Sequence, residues 1–156
     1  MKSGAGGNWR RLDEKFDGSI VKQTSGLSCV SAVGEMLLKN RGIFVLQKQI
    51  LDIIGEPATL ENLAKILNQF DNLADRKQWN GTVTDEDGLE ILLQRENWAV
   101  VLREPLTMGH AVYIDGKTKD GLIIIKDPFD QTSYKMTKFD FLNNWSGEVI
   151  FYGKTK

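Results

Sequence analysis

One cysteine and one histidine, Cys29 and His110, are all the chain has of those residue types. A lone thiol closes no intramolecular disulfide, so the fold does not depend on one. The same scarcity excludes a zinc site built from several Cys and His, leaving only carboxylate-dominated positions for Mg²⁺ or Ca²⁺. Neither sign of charge is in excess, with 20 Lys+Arg against 21 Asp+Glu and a formal net charge of −1. That balance argues against a nucleic-acid binder working through bulk electrostatics. Long apolar runs are missing too. The longest, Trp98 to Leu102, has 5 residues and excludes a membrane-spanning helix. What is present, 156 residues at 41% hydrophobic and 26% charged, suits one globular domain with a real core.

The N-terminus does not read as a signal peptide, because Arg10-Arg11 is followed by Leu-Asp-Glu-Lys rather than an apolar stretch. Ser3-Gly4-Ala5-Gly6-Gly7 reads as flexible, and residues 1–15 are expected to be a lead-in to a domain over residues 16–156. A phosphate loop does not fit these glycines, since no strand precedes them and no Lys-Ser/Thr follows.

The first half of the domain carries helical periodicity. Cys29 to Asn40 places Val30, Val33 and Leu37 on one stripe widened by Met36, and Gly42 follows as a stop. Leu46 to Ile54 repeats the pattern up to Gly55, and Thr59 is positioned to cap Leu60 to Phe70. Asp85-Glu86-Asp87 lacks the spacing of a calcium loop and reads as the charged start of a further helix through Leu93. The second half is strand-rich: Trp98–Arg103, Gly109–Asp115, Leu122–Lys126, Thr132–Met136 and Glu148–Tyr152 are short, β-branched or aromatic, and bounded by turn residues. A short helix at Lys138 to Asn144 interrupts them. Helices first and a meandering antiparallel sheet second make an α+β fold. Trp79, Trp98 and Trp145 are assigned to the core by default.

The turn Gly116-Lys-Thr-Lys-Asp-Gly121 predicts a hairpin between two strongly β-prone runs. Closing it symmetrically at the two glycines sets His110 opposite Asp127 and Ile114 opposite Ile123. Directly opposed residues share a face with Cβ atoms roughly 4.5–5.5 Å apart, within hydrogen-bonding reach. The pair is open to a structural reading, a satisfied polar contact at a strand end. Cys29 adds to it. A lone Cys is commonly a small buried hydrophobe, but this one lies where a Gly/Ser turn meets an apolar helix, and there backbone N–H groups and the helix dipole favour a thiolate. A thiolate is a nucleophile, and an imidazole held by a carboxylate is its natural partner. Gln23, in Gln-Thr-Ser-Gly-Leu-Ser-Cys, can curl its amide back beside the Cys29 N–H to offer a second donor to an oxyanion.

With these residues in place the chain resembles the papain-like cysteine peptidases, specifically their bacterial C39-like branch. The resemblance rests on Gln23 through Cys29-Val-Ser-Ala, Gly109-His110-Ala-Val-Tyr-Ile and Ile-Lys-Asp127-Pro128, in the order Gln, Cys, His, Asp, and it covers roughly residues 20–152. Ser28-Cys29-Val30 departs from the Asp-Cys-Gly triplet of many members. The resemblance implies a papain-like fold, the nucleophile helix packed on the C-terminal sheet. It also implies Cys29 as nucleophile, His110 as general acid/base, Asp127 as its orienter and Gln23 as oxyanion donor, with no metal or cofactor.

The C39 branch cleaves after a double glycine in leader peptides. A domain of this size also resembles the papain-fold toxin domains of bacterial polymorphic effectors. From this the expected activity is a cysteine endopeptidase acting on a protein or peptide substrate, after Gly-Gly in a bacterial target. It would be made in the bacterial cytoplasm, delivered into a target cell by a specialised secretion system, and neutralised by a cognate immunity protein. Deamidation or acyl transfer by the same triad, leader-peptide processing, and a non-catalytic binding module are the alternatives. Gly6-Gly7 is a candidate for self-processing.

Overall fold

Alternation along the central strands explains the architecture of the computed structural model, which describes residues 9–56, 58–71, 76–103 and 109–154. Strand β3 (Trp98–Leu102) is buried at every position and β4 (His110–Lys117) at nearly every one, so both faces of the sheet must be covered. One face holds Ala99, Val101, Ala111 and Tyr113, packed under helices α1 (Cys29–Asn40), α2 (Gln47–Ile54) and α3 (Leu60–Phe70). The opposite face holds Trp98, Val100, Leu102, Val112 and Ile114, covered by α4 (Glu86–Leu92) and α5 (Lys138–Asn144).

Four further strands complete the sheet with those two and β7 (Trp145–Lys154): β1 (Leu12–Phe16), β2 (Lys77–Val83), β5 (Ile123–Asp127) and β6 (Thr132–Met136). Their order is β1-β6-β5-β4-β3-β7-β2, with every pairing antiparallel. The result is the α+β arrangement the sequence implies, with the Cys29 helix lying on the sheet. Trp79, Trp98 and Trp145 are all core residues.

Three expectations need correcting. Residues 9–15 belong to the domain rather than to a flexible lead-in: Trp9 is buried and β1 pairs with β6, while residues 1–8, including Gly6-Gly7, lie outside the described residues. Strand β2 was not anticipated. The hairpin register also differs, with Ile114 opposite Ile125 rather than Ile123, because β4 runs on to Lys117 and the turn is confined to residues 118–121. An irregularity between Ile114 and Lys117 takes up the extra length. The displacement is an even number of residues, so it preserves which side chains share a face.

Candidate active site

Cys29 is the first residue of α1, and the turn before it is arranged so that no side chain caps the helix. Ser28 occupies the cap position without a side-chain cap bond; its hydroxyl instead accepts from the Ser25 N–H at 2.9 Å. Thr59, Asp85 and Thr137, by contrast, each cap their helix by accepting a backbone N–H. The first-turn N–H groups of α1 therefore have no side-chain acceptor, and they project positive potential where the sulfur sits. The Cys29 Sγ is 6% exposed as part of its residue and accepts from the Ala111 N–H at 3.4 Å, which fixes it against β4.

His110 precedes Ala111 at the start of that strand. There its Nε2 lies 2.6 Å from Asp127 Oδ1, with both side chains fully buried. The other ring nitrogen, Nδ1, has no hydrogen-bond partner, and the Cys29 side chain interacts with the ring. Burial alone would push the imidazole's proton affinity down. The charge and hydrogen bond of Asp127, helped by Cys29, override it and raise the value from 6.5 to about 10. Burial likewise opposes ionisation of Asp127, yet the neighbouring imidazolium holds its carboxyl below the usual range. Each partner thus favours the charged form of the other.

Gln23 sits in the loop ahead of α1. Its backbone N–H bonds to the Pro128 carbonyl at 2.9 Å, tying this loop to the end of β5 that carries Asp127. Its side-chain Nε2 donates to the Ser25 carbonyl at 2.8 Å, and Oε1 is buried without a partner. The structure thus brings together Cys29, His110 and Asp127, and holds Gln23 in the adjoining loop.

Two residues here were missed from sequence. Tyr134 on β6 donates to Asp127 Oδ2 at 2.7 Å, and Trp9 Nε1 donates to the Tyr134 hydroxyl at 2.9 Å. Burial and the Asp127 charge push the Tyr134 phenol well above its ordinary value, so it stays a neutral donor. Alternation on Thr132 to Met136 already places Tyr134 on one face; nothing local marks Trp9, which sits among glycines and arginines.

A groove of about 220 Å³ opens on the sulfur, walled by Leu27, Val30, Val101, Gly109 and Ala111. Gly109 has φ +127, and a Cβ there would meet Val101 Cγ1 at 2.6 Å. Among the described residues, no group of three or more His, Cys, Asp and Glu could hold a metal ion, and no helix is long and apolar enough to cross a membrane.

Comparison with known proteins agrees with this geometry. Two solved structures share the fold. One is the peptidase domain of a Streptococcus bifunctional ABC transporter involved in quorum sensing, with TM-score 0.66 and 19% identity, covering 86% of this chain and 97% of that one. The other is a double glycine motif protease from an AMS/PCAT transporter in complex with its leader peptide, with TM-score 0.66 and 18% identity, covering 93% and 94%. A curated relative, Cysteine protease effector 1 of Escherichia coli O1:K1:H7, is 35% identical over 153 residues. The match takes in 97% of this chain and 30% of that protein, so the chain spans under a third of its relative's length. The model of the Peptidase C39 family matches residues 17–156, and the chain belongs to that family of papain-like cysteine peptidases.

Proposed function

We propose that Cys29 is the nucleophile, His110 the general acid/base, Asp127 its orienter and Gln23 the side-chain donor of the oxyanion hole of a cysteine endopeptidase. The observation that carries this reading is the buried 2.6 Å His110–Asp127 pair, with the residue after His110, Ala111, donating its N–H to the chain's only thiol at a helix start. The Sγ attacks the substrate carbonyl carbon as a thiolate, its proton held on the imidazole. The carbonyl oxygen, now negative, accepts from the Cys29 backbone N–H and from the second hydrogen of the Gln23 amide. Collapse of the tetrahedral species breaks the C–N bond, and His110 gives its proton to the leaving amine. Water, deprotonated by His110, then releases the acyl group as a carboxylic acid and restores the thiolate–imidazolium pair.

We further propose cleavage after Gly-Gly in a bacterial target protein. The groove at Cys29 is smaller than the roughly 300 Å³ at which ordinary small-molecule pockets begin, and Leu27, Val30, Val101 and Ala111 narrow it beside Thr59 and Glu148, which favours residues without side chains. The double glycine motif protease of the same fold supports this choice. The effector name of the curated relative supports a delivered role; delivery into a target cell by a specialised secretion system and a cognate immunity protein in the producer complete the proposal.

N-terminal labelling proteomics on a bacterial lysate treated with wild type or Cys29→Ala tests the proposal. New termini after Gly-Gly, seen only with wild type, are expected. Wild-type-specific termini elsewhere would overturn the double-glycine preference. A deamidation mass shift without any cleavage would replace the peptidase by the acyl-transfer reading of the same triad.

A further inference from the structure

Asp127 is the most heavily bonded side chain in the site, and its partners lie outside the residues just assigned. Its Oδ1 meets His110 Nε2 at 2.6 Å and accepts from the Phe129 N–H at 3.0 Å; its Oδ2 accepts from Tyr134 at 2.7 Å. The direction of the last bond is forced by Trp9. An indole Nε1–H only donates, so the phenolic oxygen must accept from it at 2.9 Å. The single phenolic hydrogen then goes to the carboxylate. Trp9 also lies against the imidazole itself, nearly parallel at 14° with ring centroids 6.0 Å apart, while Phe129 presents its edge from another side at 6.4 Å. Trp9 is 2% exposed and Tyr134 1%, so no water competes for these bonds.

The position of Trp9 in the chain gives the arrangement its interest. It precedes residues 17–156, the stretch that matches the family model. Strand β1 holds it in place, with Lys15 opposite Ser133 and Phe16 opposite Thr132, beside the strand that bears Tyr134.

Resting on the reading of His110 and Asp127 given above, we propose that Tyr134 and Trp9 are positioning residues of the catalytic pair. Tyr134 fixes the Asp127 carboxylate; Trp9 orients the Tyr134 hydroxyl and walls the His110 ring, so the segment ahead of the family region completes the site. With Oδ2 held, the carboxylate cannot rotate away from the imidazole, and the imidazole keeps Nδ1 toward the sulfur. The titratable groups around the imidazole in the described residues are Cys29 from α1, Asp127 from β5, Tyr134 from β6, and Arg11, whose guanidinium carbon lies 5.5 Å from the Tyr134 ring centroid.

The chain's single thiol makes the test independent of any substrate. The rate of Cys29 alkylation by iodoacetamide, followed by intact mass, is measured against pH for wild type, Tyr134→Phe, Trp9→Phe and His110→Ala, with a thermal melt of each. Tyr134→Phe keeps the ring and removes the donor. Its alkylation at neutral pH is expected to slow about tenfold, the size of one hydrogen bond to a charged group. The acid-side loss of reactivity moves to higher pH, because a carboxylate short of one donor is easier to protonate. Trp9→Phe keeps an aromatic wall but no N–H, and moves both quantities the same way by less. Profiles of both variants superimposing on wild type would overturn the proposal, and so would slower alkylation with an unshifted pH profile and a lowered melt, which is what a purely structural role gives. If Tyr134→Phe does not fold, the Trp9→Phe profile decides. His110→Ala separates the two readings: alkylation as fast as wild type in that variant defeats the catalytic reading itself, whereas a free-thiol profile there sustains it whatever the positioning variants do.

Discussion

At the scale of single residues, the position before His110 is as constrained as the histidine. Gly109 has φ +127, in the region that L side chains rarely adopt, and a Cβ would press on Val101 Cγ1 at 2.6 Å. Gly109→Ala must move the start of β4, and with it His110 and the Ala111 N–H that meets the sulfur. Displacement on the scale of an ångström costs roughly a hundredfold in rate, so Cys29 alkylation in the folded fraction of this variant is expected to fall by about that factor, alongside a lowered melt from the strained backbone. The His110–Asp127 pair makes a second prediction, in stability against pH. His110 is raised from 6.5 to about 10, so its stabilising contribution is complete below its ordinary value and is lost as pH climbs through the raised one. Asp127 is lowered from 3.8, so its contribution is present above that value and disappears as pH falls through the lowered one. Urea midpoints of wild type should therefore drop between about pH 5.5 and about pH 10.5 by more than those of His110→Gln, which has no such proton to lose. Parallel drops would show that the imidazolium adds nothing to stability. Much of this site was legible beforehand, for two physical reasons. A helix start announces itself by its turn and periodicity, and the two-residue period of strands makes face-sharing robust to an even slip in register. The support from Trp9 and Tyr134 was not legible, since a contact between residues so far apart in sequence leaves no local pattern.

At the scale of elements, the strands the sequence reading missed are the two edges of the sheet. β1 reads Leu-Asp-Glu-Lys-Phe, and four of its five residues are exposed. β2 reads Lys-Gln-Trp-Asn-Gly-Thr-Val, with Trp79 its one buried residue. Edge strands are charged, irregular and short of β-branched residues because one side faces water and must resist further pairing. The apolar alternation that revealed β3 to β6 is therefore absent where the sheet ends. What secures β2 is contact rather than propensity. Gly81 lets the strand lie against the backbone of α3, since a Cβ there would stand 2.7 Å from the Glu61 Cα. Gly81→Ala forces backbone to move and is expected to cost about 1–3 kcal/mol, read by urea denaturation; a change below about 0.5 kcal/mol would mean that α3 gives way freely. Nearby, Asp71 at the end of α3 is buried and takes Arg41 Nε at 2.6 Å and Trp79 Nε1 at 2.8 Å, while the Arg41 guanidinium lies 3.7 Å over the Tyr152 ring. Arg41→Ala breaks that buried ion pair and is expected to cost up to about 3–5 kcal/mol, read by urea denaturation. Unchanged Cys29 alkylation in the folded fraction would accompany it, since this cluster belongs to the far end of the sheet.

At the scale of the whole molecule, the sheet is closed on one side by a segment the sequence reading set aside. Residues 9–16 place Trp9 in the core behind His110 and cover the free edge of β6. Removing residues 1–16 would strip both at once, exposing the Tyr134 strand to pairing with other chains and leaving the Asp127 network one donor short. This bears on Gly6-Gly7. If the peptidase cuts its own chain after that pair, the product begins at Asn8 and keeps Trp9, so self-processing and an intact site are compatible; a cut beyond Trp9 would remove the support of the Asp127 network and slow the enzyme that made it. Intact mass of wild type and Cys29→Ala, expressed alike, decides whether the cut occurs: loss of residues 1–7 in wild type alone is expected, and retention in both excludes it. Chains beginning at Asn8 and at Asp17 then separate the two roles of the N-terminus. The first should melt with wild type and alkylate at the wild-type rate, whereas the second should melt lower, aggregate, and show the slowed profile of Tyr134→Phe, its acid-side loss moved to higher pH. A chain beginning at Asp17 that is as stable and as reactive as wild type would place the complete peptidase within the family region and leave residues 9–16 without a catalytic part.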